Sequence, residues 1–340
     1  MTDIIERHRT VSWRPIAGLT ALVGFLGALL AVPDRVRDTA EFVLLGLIEV
    51  APLVIPGILL AAWVQASGAS GRIAEVFRGR LPHTVIVASL VGAVTPVCGV
   101  TVLPLMAGLL ASGVPLAPVM AFWLSSPITD PAMLATTAAT LGFEFAWGKT
   151  IAAFGLGLFG GLATAVLAGG TWTHQPLRRN RIVGELGHQG CSGMGSFETA
   201  IWRSRARLVA FGQEAKATTR LILICLIPAF AAEYWLNEVL HPQALSAYVG
   251  TGAWWGVPLA AVVGAPAYLD GYAALPLTRG LIDHGMSHGA AMAFLVSGGV
   301  VSIWGAMAIF PVLKLRPFLL YLGLAITGSM AAGWMFGLIA

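Results

Sequence analysis

The stretch LPLMAGLLASGVPLAPVMAFWLS (Leu103–Ser125) recurs 172 residues later as LPLTRGLIDHGMSHGAAMAFLVS (Leu275–Ser297). Ten of these 23 positions are identical without a gap, including Leu103-Pro104-Leu105 against Leu275-Pro276-Leu277 and Met120-Ala121-Phe122 against Met292-Ala293-Phe294. Gly113 falls on Gly285 and Ser125 on Ser297; upstream, Gly92-Ala93 falls on Gly264-Ala265 and Gly99 on Gly271. An ungapped match of proline and aromatic positions marks an internal repeat rather than shared low complexity. Paired repeats in an apolar chain are a mark of transporters.

The surroundings are those of a membrane protein. Only 11% of the 340 residues are charged and mean hydropathy is +0.82, whereas a soluble domain carries about 25% charge. Apolar segments fall at 15–32, 40–66, 84–112, 116–142, 149–169, 219–238, 253–284, 288–313 and 316–338. Most are long enough to cross a hydrocarbon core of about 30 Å. We expect an all-α integral membrane protein of one domain, 1–340. It divides into an extra N-terminal helix at 15–32, a first repeat at 40–169, a basic loop at 170–217 and a second repeat at 218–340. The run 15–32 follows Arg7, Arg9 and Arg14; Pro33-Asp34-Arg35 is a poor cleavage site, which favours a retained helix over a signal peptide. Seventeen of the 20 basic residues are Arg, lying mostly between apolar runs. That pattern sets topology and is too dispersed for a nucleic-acid arm.

Charge fixes the orientation. Loops 67–83 and 170–217 are both basic, so both belong in the cytoplasm. An even number of crossings must separate them, yet three apolar segments intervene. Segment 84–112 breaks at Thr95-Pro96-Val97-Cys98-Gly99, and a re-entrant hairpin there resolves the parity. Its partner, 253–284, breaks at Ala265-Pro266-Ala267-Tyr268-Leu269-Asp270-Gly271. If that segment enters from the other side, the repeats are inverted, with seven spans, two hairpins and the N-terminus inside. Nine full spans with parallel repeats is the alternative. Each repeat also holds a broken transmembrane helix, at Ser125-Ser126-Pro127-Ile128-Thr129-Asp130-Pro131 and at Ser297-Gly298-Gly299-Val300-Val301-Ser302. Within loop 170–217, residues 197–217 mix Trp202, Leu208 and Phe211 with Arg, as in an amphipathic helix on the membrane surface.

Irregular backbone at membrane depth survives only where protein buries it or it lines a wet cavity, so the breaks are the candidate site. Thr95, Cys98, Thr101, Ser125, Ser126 and Thr129 would line one side; Tyr268, Tyr272, Ser297 and Ser302 would line the other. A carboxylate at mid-membrane costs about 2.5–3.5 kcal/mol on insertion scales. Asp130 and Asp270 are therefore candidates for proton or ion coupling, with capping of half-helix N-termini as the structural alternative. Glu49, inside the second apolar segment, is a third. Cys98 would suit a soft ligand such as trivalent arsenic, or serve as a small buried hydrophobe. His284 and His288 have four-residue spacing, but Gly285 and Ser287 between them indicate an interfacial turn, so no metal site is expected. Gly148-Lys149-Thr150 imitates a nucleotide loop, but its spacing is one residue too long and no strand precedes it. With no Ser/His/Asp set and no H-E-x-x-H, the chain reads as a non-enzyme without cofactor. Ala153, Gly157, Gly161 and Ala165 form a small-residue stripe for close helix packing, within the chain or in a homodimer.

At the first break the residues resemble a known family. Thr95-Pro96-Val97-Cys98, Leu103-Pro104-Leu105, Gly108-Leu109, Gly113-Val114-Pro115, Met120-Ala121-Phe122 and Leu124-Ser125-Ser126-Pro127 with Asp130-Pro131 resemble the bacterial predicted permease family that includes trivalent organoarsenical efflux permeases. The likeness runs over roughly 40–338. It implies an inner-membrane secondary permease acting on a small solute, with arsenical efflux known for some members. Two positions depart from the family pattern. The frequent Cys-Ser-Cys is here Cys98-Gly99-Val100, so one thiol is missing, and the family's Asn-Pro is here Asp130-Pro131. The expected function is export of an organoarsenical, soft metal or anion by alternating access. A channel, or a membrane subunit recruiting a partner through 170–217, would share the same breaks.

Overall fold

Proline and glycine set most of the helix ends. Leu81–Val94 (α2) starts with Pro82 in its first turn, where a missing N–H costs nothing. Leu103–Ala111 (α3) and Leu116–Ser125 (α4) are separated by a turn at Gly113, which has φ +84°. After α4 a single 3₁₀ turn, Ser126–Ile128, leads to extended backbone at Thr129, and helix resumes at Pro131–Thr140 (α5). Phe143–Leu167 (α6) follows. Ahead of these lies Pro33–Ser67 (α1), and after the central loop comes Arg205–Val239 (α7). Gly256–Gly264 (α8), Ala274–Asp283 (α9), His288–Val300 (α10) and Leu315–Gly337 (α11) complete the chain. The structure, a computed structural model, describes residues 33–69, 75, 77, 79–95, 102–111, 113–129, 131–167, 171–178, 197–239, 255–265, 274–301, 305–306 and 309–340. Among these residues the protein is helical, with no strand beyond an isolated bridge between Leu177 and Leu313.

By length and composition two of these helices can cross a membrane, α6 and α11. α1 becomes a third if its two arms, bent by 54° around residues 52–54, form one broken span. Pro52 and Pro56 lie inside α1 and account for the bend, since each removes a helical hydrogen bond. The other apolar helices, α2, α4 with its 3₁₀ turn, and α10, are shorter. The segment 116–142 is thus built from two half-helices with Thr129 between them. α7 runs unbroken through residues 217–218, joining the polar residues of the central stretch to the apolar run that follows.

The offset of the sequence repeat governs the elements. Adding 172 to the bounds of α1 gives those of α7. The same shift carries the start of α4 to the start of α10, and the start of α6 to the start of α11. It carries the end of the 3₁₀ turn, Ile128, to the end of α10, Val300. Thr129 and Val301, the residues at which these helices end, also correspond. The turns match bond for bond: Val114 N–H donates to Leu109 O at 3.1 Å and Met286 N–H to Leu281 O at 2.9 Å. Gly285 takes the left-handed φ of its counterpart Gly113, at +100°.

Corresponding long helices pack against each other in antiparallel register. Gly148 of α6 meets Phe336 of α11, and eight residues on, Leu156 meets Gly328, eight residues back. On the second pair, Phe42 stacks on Tyr234 at 5.8 Å, and Gly46 meets Phe230 four residues further along α1 and four back along α7. Leu156 and Gly328 are themselves 172 apart, so α6 and α11 cross at equivalent points. The main core lies where α2, α4 and α6 meet α8, α10 and α11; Val43, Ile58, Ile222, Leu226 and Phe230 form a second, between α1 and α7.

Candidate functional site

The site is built where helices approach too closely for side chains. A Cβ on Gly92 would lie 2.7 Å from Phe122 O and collide with Ser125 Oγ. On Gly264 it would lie 2.6 Å from Phe294 O and 2.5 Å from Ser297 Oγ. Glycine at these two equivalent positions lets α2 lie on α4 and α8 on α10 with backbones nearly touching. Ser125 Oγ donates to Ala121 O at 2.9 Å, and Ser297 Oγ to Phe294 O at 3.1 Å. Both serines are fully buried, each with its hydroxyl satisfied inside its own helix. They fill the glycine notches one turn ahead of the breaks.

Thr129 anchors the first break. Its hydroxyl donates to Ala93 O, at the end of α2, at 2.5 Å, and the residue is 2% exposed. Ser126 is buried in the 3₁₀ turn. Thr95, half-buried just past α2, turns its hydroxyl back onto Val91 O. The 3₁₀ turn touches the last turn of α10: a Cβ on Gly299 would be 3.4 Å from Pro127 O, these positions are also 172 apart, and the helix runs through Ser297, Gly298 and Gly299, where a break was expected, as far as Val300. The structure therefore brings Ser126 and Thr129 to a point near the C-terminal end of α10. Cys98, Thr101, Asp130, Tyr268, Asp270, Tyr272 and Ser302 lie outside the described residues. Glu49 is exposed on α1, beside the exposed Leu44, Leu45 and Ile48.

Lys149 is a residue that composition and motif reasoning passed over. It belongs to the rejected Gly-Lys-Thr triplet, yet on α6 it is only 3% exposed. Ionisable residues inside spanning helices face the protein interior and mark functional positions. Its counterpart on α11 is Tyr321, also 172 residues on, which is 1% exposed. Tyr321 donates from its hydroxyl to Val300 O, the last helical carbonyl before the second break, at 2.5 Å. Its ring lies 5.2 Å from that of Trp123. α6 packs on the 3₁₀ turn at Ser126–Ile128. Only the pairing of Lys149 with Tyr321 across the repeat signals its position, and that needs the helix bounds.

The remaining candidates fall into place around this centre. Gly157 and Gly161 turn their stripe inward: a Cβ on Gly157 would meet Ala121 O at 2.8 Å, and one on Gly161 would meet Val85 at 2.6 Å. His284 ends the α9 turn with Nδ1 2.6 Å from Gly280 O, whereas His288 starts α10 with its ring 5.6 Å from Phe145. Arg279 and Asp283 form an exposed ion pair at 3.2 Å. Residues 197–207 fold onto the end of α1: Arg207 donates to Ala66 O and Ser67 O at 3.2 and 2.9 Å, and pairs with Glu198 at 3.5 Å. A cation on the last carbonyls of a helix is favourably placed.

Among the described residues the chain is helical, with two or three apolar helices long enough to cross a membrane, which points to a membrane protein. Residues 36–338 match the ArsP_1 family, described as a predicted permease, and the chain belongs to that family. Among curated proteins it is similar to UPF0718 protein MJ0584 of Methanocaldococcus jannaschii, 22% identical over 335 residues, covering 83% of this chain and 91% of that one. It is also similar to UPF0718 protein YcgR of Bacillus subtilis, 31% identical over 96 residues, covering 28% of this chain and 33% of that one. No solved structure matches.

Proposed function

We propose that this protein is a multi-pass inner-membrane secondary permease that exports a small solute by alternating access between two inverted repeats. The observation that carries the reading is the meeting of Pro127 and Gly299, equivalent positions in the 3₁₀ turn ahead of the first break and in the last turn of α10. The antiparallel register of α6 and α11 supports the inversion. If two equivalent helices both cross the membrane and run antiparallel, the halves that carry them enter from opposite sides. The substrate then lies between the breaks, with Ser126 and Thr129 on one wall and Tyr268, Tyr272 and Ser302 on the other. Cys98 and Thr101 come from the first hairpin. Ser125 and Ser297 shape the site through the glycine notches behind it. Asp130 and Asp270 carry the coupling proton or ion, and Glu49 is a third coupling candidate.

The reading is tested by uptake into everted vesicles under an imposed proton gradient, comparing the native chain with Asp130→Asn and Asp270→Asn. Methylarsenite is the first substrate, followed by a panel of anions and soft metals. Gradient-driven accumulation that both variants lose is the expected result. Accumulation that survives both substitutions overturns carboxylate coupling at the breaks.

A further inference from the structure

We propose that Glu214 is a proton-binding site of the permease, neutral in the packed state and exchanging its proton when α1 and α7 move apart. The inference deepens the coupled-permease reading and rests on it for its role in transport. Glu214 sits on α7 with its side chain 0% exposed. The register of α1 on α7 places it level with Ala62, which is likewise 0% exposed. Its Oε1 accepts from Thr218, one turn on, at 3.4 Å, while its Oε2 is buried with no hydrogen-bond partner among the described residues. A carboxylate in that setting loses its hydration and gains almost nothing in return.

Among the described residues the neighbours supply no counter-charge. α1 carries no ionisable residue from Val50 to Ser67, and α3, which also packs on α1, carries none. On α7 itself Lys216 and Arg220 point to the surface, and Arg207 is committed to Glu198 and the carbonyls of Ala66 and Ser67. Arg203, in the 3₁₀ turn beside α7, is exposed. Glu214 precedes the apolar run 219–238 that would span the bilayer, so it stands toward the aqueous end of its helix. Burial pushes its carboxyl up to about 7, against a small opposing effect of the Thr218 hydrogen bond. A group that exchanges a proton near neutral pH is suited to coupling.

The position is one-sided. The equivalent of Glu214 in the first half is Phe42, stacked on Tyr234, so one half of the α1–α7 pair carries a proton site and the other an aromatic contact. Gln65 connects the pair to the first hairpin: a Cβ on Gly108 of α3 would lie 2.7 Å from its Nε2.

The test uses the full-length protein in lipid nanodiscs, with no substrate, titrated from acid to mildly alkaline pH by infrared difference spectroscopy. The native chain should show a protonated carboxylic acid band that disappears near neutral pH and is missing in Glu214→Gln. No such band in the native chain, or one unchanged in Glu214→Gln, overturns the proposal. In everted vesicles with methylarsenite, Glu214→Gln should lose at least tenfold of gradient-driven uptake and keep substrate exchange at equal pH. Gradient-driven uptake that survives in Glu214→Gln overturns the role in transport. Because the band needs no substrate, a wrong permease reading leaves a band that Glu214→Gln abolishes, whereas a wrong Glu214 leaves no such band and keeps transport intact.

Discussion

Gly92 and Gly264 show how single residues set the packing that holds the breaks. Each faces a phenylalanine carbonyl at a distance no Cβ tolerates, so Gly92→Ala and Gly264→Ala should each destabilise the protein by about 1–3 kcal/mol through overpacking. Gly155, on the exposed face of α6 with nothing near it, is the control; Gly155→Ala should be neutral or stabilise by up to about 1 kcal/mol. Thermal unfolding in detergent reads all three. These two notch glycines were legible as repeat matches, because a shift of 172 residues aligns them by sequence alone. Glu214 was not legible, since its burial depends on which face of a long helix turns toward α1. Its folded carboxyl stands at about 7 against an ordinary 4.5, so the folded protein holds the extra proton between those values. Stability relative to Glu214→Gln should therefore fall as pH rises from 4.5 to about 7 and stay level above it, by up to about 3 kcal/mol in all. A difference between the two proteins that is flat across that window would contradict the burial of Glu214.

Helices α6 and α11 carry the prediction at the next scale. On a background with Cys98, Cys191 and Cys225 replaced, Leu156→Cys with Gly328→Cys should cross-link in membranes, as should Gly46→Cys with Phe230→Cys. The pair Gly148→Cys with Leu320→Cys, which a parallel register would bring together, should not. Efficient cross-linking of that last pair would contradict the antiparallel register. The broken helix at 125–131 could be read in the sequence because Pro127 and Pro131 each remove an N–H that a continuous helix needs. Its counterpart was legible only through the repeat, since Ser297 to Ser302 contains no proline. The extent of α1 and α7 was hidden for a different reason. Their first turns are polar, and hydropathy ends a segment where apolar residues end, whereas the backbone ladder continues while propensity and packing allow it. Lys149 escaped for the same kind of reason, being one charge near the start of an apolar helix whose buried face is fixed by α2 and α4.

For the whole molecule, the two halves share several element bounds, turn hydrogen bonds and glycine notches at one offset, and their long helices run in opposite directions where they meet. Such an arrangement suits an alternating-access permease, because exchanging the conformations of two inverted halves exchanges which side of the membrane is open. Composition made the membrane class legible from the start, and basic loops gave an orientation, but neither fixes whether equivalent elements face the same side. The turns at Gly113 and Gly285 decide it. Pro115 and His284 are exposed residues of these two turns. We would place a single cysteine at each, Pro115→Cys and His284→Cys, and label intact cells and everted vesicles with a membrane-impermeant maleimide. The inverted arrangement predicts that one cysteine labels only in intact cells and the other only in everted vesicles; labelling of both from the same side would contradict it.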